Sequence, residues 1–153
     1  PPPPPPPPPP PQNFFFNDTA TTEIYTAGHS SAASDVYKRQ VPATASLVFD
    51  VRFLPNPFFD ESLRSLSGGD APVIEWLDNF EEVNESVDRF LDLISDLLPR
   101  YSEELKTHLG IALGCTGGRH RSVYVAERVA KALNEAGHHV VVHHRDKERW
   151  RYS

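Results

Sequence analysis

The sequence contains a single cysteine, Cys115, and no methionine. One thiol cannot form an internal disulfide, which excludes a disulfide-stapled secreted domain and favours a reducing compartment. No apolar run approaches the roughly 20 residues that a membrane-spanning helix needs, and no basic-then-apolar leader is present. Because even position 1 lacks methionine, we expect the chain to be a fragment of a longer open reading frame.

Charge is unevenly distributed along the chain. The net charge is −6, but acidic residues dominate between residues 60 and 104, whereas Lys, Arg and His dominate from residue 106 onward. This distribution predicts an acidic helical half and a basic half.

The first forty residues do not have the sequence pattern of a domain. Residues 1–11 are all proline, which favours a polyproline II rod that could act as a spacer or as a ligand for an aromatic groove. Residues 13–26 and 30–40, however, lack helical or strand periodicity and look like translated sequencing-adapter DNA. We therefore predict that residues 1–40 are a disordered, low-complexity artefact and that the folded domain covers residues 41–153.

The remainder alternates between strand and helix patterns. In chain order these are a buried strand at 46–53, helical periodicity over 73–98, a strand at 108–113, a helix at 123–133 ended by Gly137, and a strand at 139–144. The periodicity over 73–98 predicts either one long helix or two helices broken near Asn79. Strand, helix, strand, helix, strand predicts an α/β fold, with a small parallel sheet and flanking helices in a Rossmann-like βαβαβ order.

A glycine-rich stretch, residues 114–122, follows the second predicted strand and opens the next helix. Such a turn gathers free backbone N–H groups around an anion, and its glycines allow close approach. The side chains of the stretch add hydroxyls and basic groups, so we predict that it is a phosphate-binding loop. The alternative is a tight strand-to-helix turn whose arginines are merely solvated. The candidate ligand-binding residues are Thr116, Gly117, Gly118, Arg119, His120, Arg121 and Ser122. No Walker A ending is present, so ATP hydrolysis by this chain is not expected.

Charged side chains also follow the first predicted strand. Asp50 and Arg52 lie two residues apart and would share one face of a strand. Because ligands bind at the carboxyl edge of parallel sheets, we expect Asp50, Arg52 and Asn56 to lie beside the loop. His143, His144 or Arg145 could join them from the third strand. The alternative is a salt bridge at the end of the strand.

Two chemistries fit the loop. Five residues separate Cys115 from Arg121. This is the spacing of cysteine-dependent phosphatases, in which a thiolate attacks phosphorus. Gly114 stands where those enzymes usually have histidine, however, and no Asp-bearing loop stands out as a general acid. We therefore favour binding without cleavage, with Cys115 packed in the interior, no catalytic residue, no metal and no enzymatic activity in this chain.

Residues 49–57, together with residues 114–124, resemble the C-terminal domain of the RapZ (YvcJ) family of P-loop nucleotide-binding proteins. The resemblance runs from about Val48 to about Arg145. It implies a cytoplasmic, oligomeric protein whose N-terminal Walker-type domain, absent here, binds ATP or GTP. In the RNase adapter member, the resemblance implies a C-terminal domain that binds glucosamine 6-phosphate and small regulatory RNA.

Carried over by position, Thr116, Gly117 and Arg121 would hold the sugar phosphate. Phe58 departs from the adapter member, which has a histidine there that contributes to the sugar site. An RNA-binding surface would comprise Arg119, Lys147, Arg149 and Arg151. Asp146 and Glu148 interrupt the basic residues of that surface and weaken it.

Overall fold

The computed structural model describes residues 1–5, 21–28, 45–103 and 108–147. Four strands form one parallel sheet in the order β2-β3-β1-β4. The strands are β1 (Thr21–Gly28), β2 (Ala45–Asp50), β3 (His108–Cys115) and β4 (His139–His144). The predicted α/β class, a small parallel sheet with flanking helices, is confirmed.

Strand β1 lies inside the stretch that the sequence predicted to be disordered. It pairs with β3 on one side and with β4 on the other, and its Thr22, Ile24 and Thr26 are buried. The expectation of disorder is therefore wrong for Thr21–Gly28. The physical reason is that β3 and β4 offer backbone partners on both sides of an extended segment. Pro1 to Pro5 are exposed without secondary structure, and the other residues of the first forty lie outside the described part.

Among the described strands, β2 forms one edge of the sheet and pairs with β3 alone. Its residues alternate between half-buried and exposed, so it is not the fully buried strand that its composition predicted. Leu47 and Phe49 lie opposite Ile111 and Leu113 and face the core. The Phe49 ring stacks on Phe90, with ring centroids 4.4 Å apart.

The helices connect the strands in the predicted order. A short 3-10 helix (Pro57–Phe59) and α1 (Glu61–Arg64) precede α2 (Ala71–Asp78), α3 (Glu81–Glu103) and α4 (Arg121–Glu135). Of the two alternatives for residues 73–98, the structure has the two helices, because Asn79 caps the end of α2 and α3 begins at Glu81. Gly137 follows α4 with a φ of 93°, a left-handed conformation that favours glycine at a helix end. None of the described helices is both long and apolar enough to cross a membrane.

One hydrophobic core lies between the sheet and these helices. The helical stripe predicted from sequence faces the side chains of β3 and α4. The buried residues of the core include Val73, Leu77, Val83, Val87, Ile94, Leu98, Ile111, Leu113, Val125, Val129 and Leu133. The core therefore fixes α4, and with it the loop that leads into α4.

A polar network also fixes α4. The Tyr124 hydroxyl donates to the Asp78 carboxylate at 2.5 Å, and Arg128 donates to Asn84 and to the Tyr124 oxygen. Burial and the bond to Asp78 raise the pKa of Tyr124 to about 12, so the phenol stays protonated as a donor. The network borders a groove of about 600 Å³ between α2, α3 and α4, and it ties the first turns of α4 to the α2–α3 junction.

Candidate functional site

The predicted loop connects the carboxyl end of β3 to α4, with the end of β2 beside it. Asp50 lies opposite Gly114 in the register of the sheet, and the Val51 N–H donates to the Gly114 carbonyl at 2.8 Å. The loop thus occupies the edge of a parallel sheet where ligands bind in this class of fold.

Residues 116–118 form the open half of the loop. Thr116 and Gly117 are exposed, and a Cβ atom added to Gly117 would meet nothing within 4 Å. Gly118 has a φ of 66°, which a side-chain-bearing residue adopts only with strain. Gly118 is buried, so Thr116 and Gly117 are the residues of the open half that face solvent.

Helix α4 begins without the usual groups that neutralise a helix N-terminus. The side chain of its N-cap residue, His120, makes no capping bond, and the first turn carries no acidic residue. The first helical bond runs from the Tyr124 N–H to the His120 carbonyl, so the preceding N–H groups have no acceptor within the helix. Such an end carries a partial positive charge that suits an anion.

Residues 119–121 form the anchoring half of the loop. Arg121 is only 5% exposed. Its NH1 group donates to the carbonyls of Arg52 at 2.6 Å and Leu54 at 3.1 Å, and its NH2 group donates to the Thr116 hydroxyl at 3.3 Å. Its Nε is buried without a hydrogen-bond partner among the described residues. The guanidinium therefore holds the turn that follows β2 next to Thr116.

Arg119 and His120 hold a different segment, residues 63–66. Arg119 donates from Nε to the Leu66 carbonyl at 2.9 Å and from NH2 to the Ser65 carbonyl. The His120 Nε2 lies 3.2 Å from the Leu63 carbonyl. Burial lowers the pKa of His120, and the charge of Arg119 lowers it further, so a neutral imidazole with its proton on Nε2 donates this bond.

Gly68 completes the contact between that segment and α4. Its N–H donates to the Arg119 carbonyl at 2.8 Å, and a Cβ atom at this position would collide with the His120 carbonyl and the Tyr124 amide nitrogen. No local pattern could have revealed that Gly68 packs against a helix start.

Asp50 and Arg52 form the ion pair that was the alternative reading of these residues. Arg52 donates to both carboxylate oxygens, with distances of 2.6 to 2.9 Å, and hydrogen bonding to Asp50 raises the pKa of Arg52. Both side chains stay about half exposed. Asn56 accepts from the Phe58 N–H at 3.2 Å and so caps the 3-10 helix.

Cys115 and Ser122 face the interior rather than the open half. Both are buried, and the Cys115 thiol donates to the Ser122 hydroxyl at 3.2 Å. A phosphatase would need an accessible thiolate and an arginine directed at its phosphate. The observed burial instead matches the packing role expected for Cys115.

Strand β4 does not bring its basic residues to the open half, because β1 separates it from β3. His144 lies 2.9 Å from the Thr26 hydroxyl and 2.6 Å from the Glu127 carboxylate, and the Arg145 N–H donates to the Thr26 carbonyl. His143 alternates to the opposite face of the sheet from His144. These residues therefore do not reach the open half, although His144 shares a cleft with Arg119 of the anchoring half.

Arg119 and Lys147 line a separate cleft of about 430 Å³, together with His144 and Glu127. This cleft brings together two of the four predicted RNA-binding residues. Arg149 and Arg151 lie outside the described residues. Among the described residues no group of three or more His, Cys, Asp or Glu side chains could hold a metal ion.

A parallel α/β sheet with a glycine-rich strand-to-helix loop and an uncapped helix start defines a class of small domains with a candidate anion site. Within that class, the sequence matches the RapZ C-terminal domain over residues 31–148, and the chain belongs to this family.

Curated relatives carry the description "nucleotide-binding protein". The chain is 50% identical over 115 residues to one from Carboxydothermus hydrogenoformans, covering 75% of this chain and 40% of the relative. It is 48% identical over 113 residues to one from Acidobacterium capsulatum, covering 74% and 37%. The chain thus spans about two fifths of the length of the relatives it matches.

Proposed function

We propose that the open half of the loop binds the phosphate group of a small metabolite. The ligand class is a sugar phosphate such as glucosamine 6-phosphate, and the domain acts as a sensor within a longer nucleotide-binding protein. The observation that carries the proposal is the start of α4, which has neither a capping side chain nor an acidic residue in its first turn. That helix end adjoins the exposed Thr116 and Gly117.

The loop offers phosphate three kinds of contact. Backbone N–H groups at the open half and helix start can donate to phosphate oxygens, and the Thr116 hydroxyl is exposed beside them. Arg121 reaches the Thr116 hydroxyl with NH2, so its charge lies directly behind that group. In this proposal Arg121 both contributes positive potential and positions Thr116, while Arg119 and His120 keep the loop in place.

The exposed Asp50–Arg52 pair would face the organic part of the ligand. It follows β2 at the same edge of the sheet as the loop. A carboxylate that is about half exposed can accept from the hydroxyl or ammonium groups of an amino sugar. This contact would favour amino sugars, which is the reason for choosing glucosamine 6-phosphate as the first ligand to test.

Calorimetric titration of the chain with glucosamine 6-phosphate, glucosamine and inorganic phosphate tests the proposal. We expect the sugar phosphate to bind more tightly than phosphate, and glucosamine not to bind. Gly117→Asp should weaken both phosphate-containing ligands at least about tenfold, because it places a negative charge at the open half. Gly117→Ala is the matched control, since added atoms at this position meet no neighbour.

Two results would reject this site. If the unmodified chain binds neither phosphate nor the sugar phosphate, the sensor role is rejected. Unchanged binding by Gly117→Asp would place the ligand away from the loop. Phosphate release that disappears in Cys115→Ser would instead favour the phosphatase chemistry.

A second proposal, an RNA-binding surface, is favoured by the cleft that Arg119 and Lys147 share. The Arg119 donors are engaged with the carbonyls of Leu66 and Ser65, so Lys147 should provide more of the phosphate attraction. Affinity for a small structured RNA should fall steeply with salt, and Lys147→Glu should weaken it at low salt. RNA binding that is absent or insensitive to salt would contradict this surface.

A further inference from the structure

Three exposed phenylalanines lie at the edge of the sheet that carries the loop. The exposed fractions are 62% for Phe53, 48% for Phe58 and 79% for Phe59. Phe58 and Phe59 pack edge to face with centroids 6.1 Å apart, and the Arg64 guanidinium covers Phe58 at 4.8 Å. The ring of Phe53 has no aromatic or cationic partner within the described part of the chain, which sets it apart from the other two.

The backbone around Phe53 is held unusually firmly for a residue with so exposed a side chain. Arg121 donates to the carbonyl before Phe53, that of Arg52, and to the carbonyl after it, that of Leu54. Val51 and Leu54 are buried, and the Leu54 N–H donates to the Val51 carbonyl at 3.2 Å. The turn is thus anchored on both sides while the phenyl group stays in solvent.

The same guanidinium joins Phe53 to the candidate phosphate site. Arg121 NH1 contacts the carbonyls that flank Phe53, and Arg121 NH2 contacts the Thr116 hydroxyl. The backbone on both sides of Phe53 therefore lies one guanidinium group away from Thr116 of the open half. An aromatic ring on a fixed backbone can contact a ligand with little ordering of the chain on binding.

We infer that Phe53 is a specificity-determining residue of this site. Its ring packs against the carbon skeleton of the ligand whose phosphate lies at the open half of the loop. The site then selects phosphorylated ligands that present C–H groups, such as the ring of a sugar phosphate, over free inorganic phosphate. This inference rests on the proposed function, because it adds an apolar contact to the proposed phosphate contact.

The test compares Phe53→Ala with Phe59→Ala, which removes the phenyl group of an even more exposed residue of the same segment. Each variant is titrated with glucosamine 6-phosphate and with inorganic phosphate. Phe53→Ala should weaken the sugar phosphate about five- to tenfold, the loss expected from exposing one face of a sugar ring. It should leave inorganic phosphate unchanged, and Phe59→Ala should change neither. An unchanged thermal unfolding midpoint shows that each variant is folded.

The outcomes separate this inference from the proposed function. If the unmodified chain binds both ligands and Phe53→Ala does not weaken the sugar phosphate, Phe53 does not select the ligand and the phosphate site stands. Equal weakening of both ligands also overturns the inference, because Phe53 would then support only the loop. If the unmodified chain binds neither ligand, the phosphate site fails and the inference fails with it.

Discussion

The two halves of one loop use the same kind of sequence in opposite ways. In the open half, residues 116–118, Thr116 and Gly117 are exposed, and the backbone and one hydroxyl face solvent there. In the anchoring half, residues 119–121, all three side chains turn toward the protein and bind backbone carbonyls of distant segments. Read from the sequence, the basic residues were the strongest argument for an anion, yet the structure uses them mainly as donors to carbonyls.

The difference teaches how a glycine-rich loop is kept rigid. The turn after β2 and the segment at residues 63–66 lie outside the strands and long helices, so several of their carbonyls lack a regular partner. Burying such carbonyls without a donor is unfavourable, and arginine offers several donors in a fixed arrangement. The side chains of the anchoring half satisfy those carbonyls, and the backbone of the open half stays available.

Removing the space at Gly68 should have the largest effect on the anchoring half. Gly68→Ala forces a Cβ atom into the His120 carbonyl and the Tyr124 amide nitrogen, both of them backbone atoms that cannot move aside cheaply. We expect a loss of about 2–5 kcal/mol in the free energy of unfolding, measured by urea denaturation. Gly69→Ala is the neighbouring control, because its Cβ would lie an ordinary 3.7 Å from the Ser67 hydroxyl. Equal effects of the two substitutions would contradict the packing described here.

Arg121→Met should have the next largest effect. It keeps an unbranched side chain but leaves the carbonyls of Arg52 and Leu54 without their donor, which should cost about 2–4 kcal/mol. Thr116→Val removes only the longer 3.3 Å bond at the open half and should cost less than about 1 kcal/mol. The difference between the two in urea denaturation measures the asymmetry of the loop. A stability of Arg121→Met close to that of the unmodified chain would show that the guanidinium is not an anchor.

The sequence predicted the local elements of the fold better than the contacts between them. The loop, the break at Asn79 and the helix end at Gly137 follow from short-range patterns of glycine, proline and apolar residues. The partners of Arg119 and Arg121 lie 53 and 69 residues away along the chain, and no local pattern encodes such contacts. Strand β1 was missed because the stretch around it looks like translated adapter sequence, although its Thr, Ile and Tyr residues favour extended backbone and β3 and β4 pair with it.

Protonation of His120 should change the free energy of unfolding least, and the pH dependence of stability measures this change. Burial lowers the pKa of His120 in the folded protein, whereas an unfolded histidine titrates near pH 6.5. Below that pH the unfolded chain binds more protons than the folded one, so stability should fall as the pH drops from about 7 to 5.

His120→Gln separates this contribution from those of the other histidines, because glutamine can still donate to the Leu63 carbonyl but does not titrate. We expect urea denaturation at pH 5, 6 and 7 to show a smaller loss of stability in His120→Gln than in the unmodified chain. His138→Gln, at an exposed position after α4, is the matched control and should keep the full loss. If both variants lose stability to the same extent, the imidazole of His120 is accessible to protons, and the anchoring half is more open than its hydrogen bonds indicate.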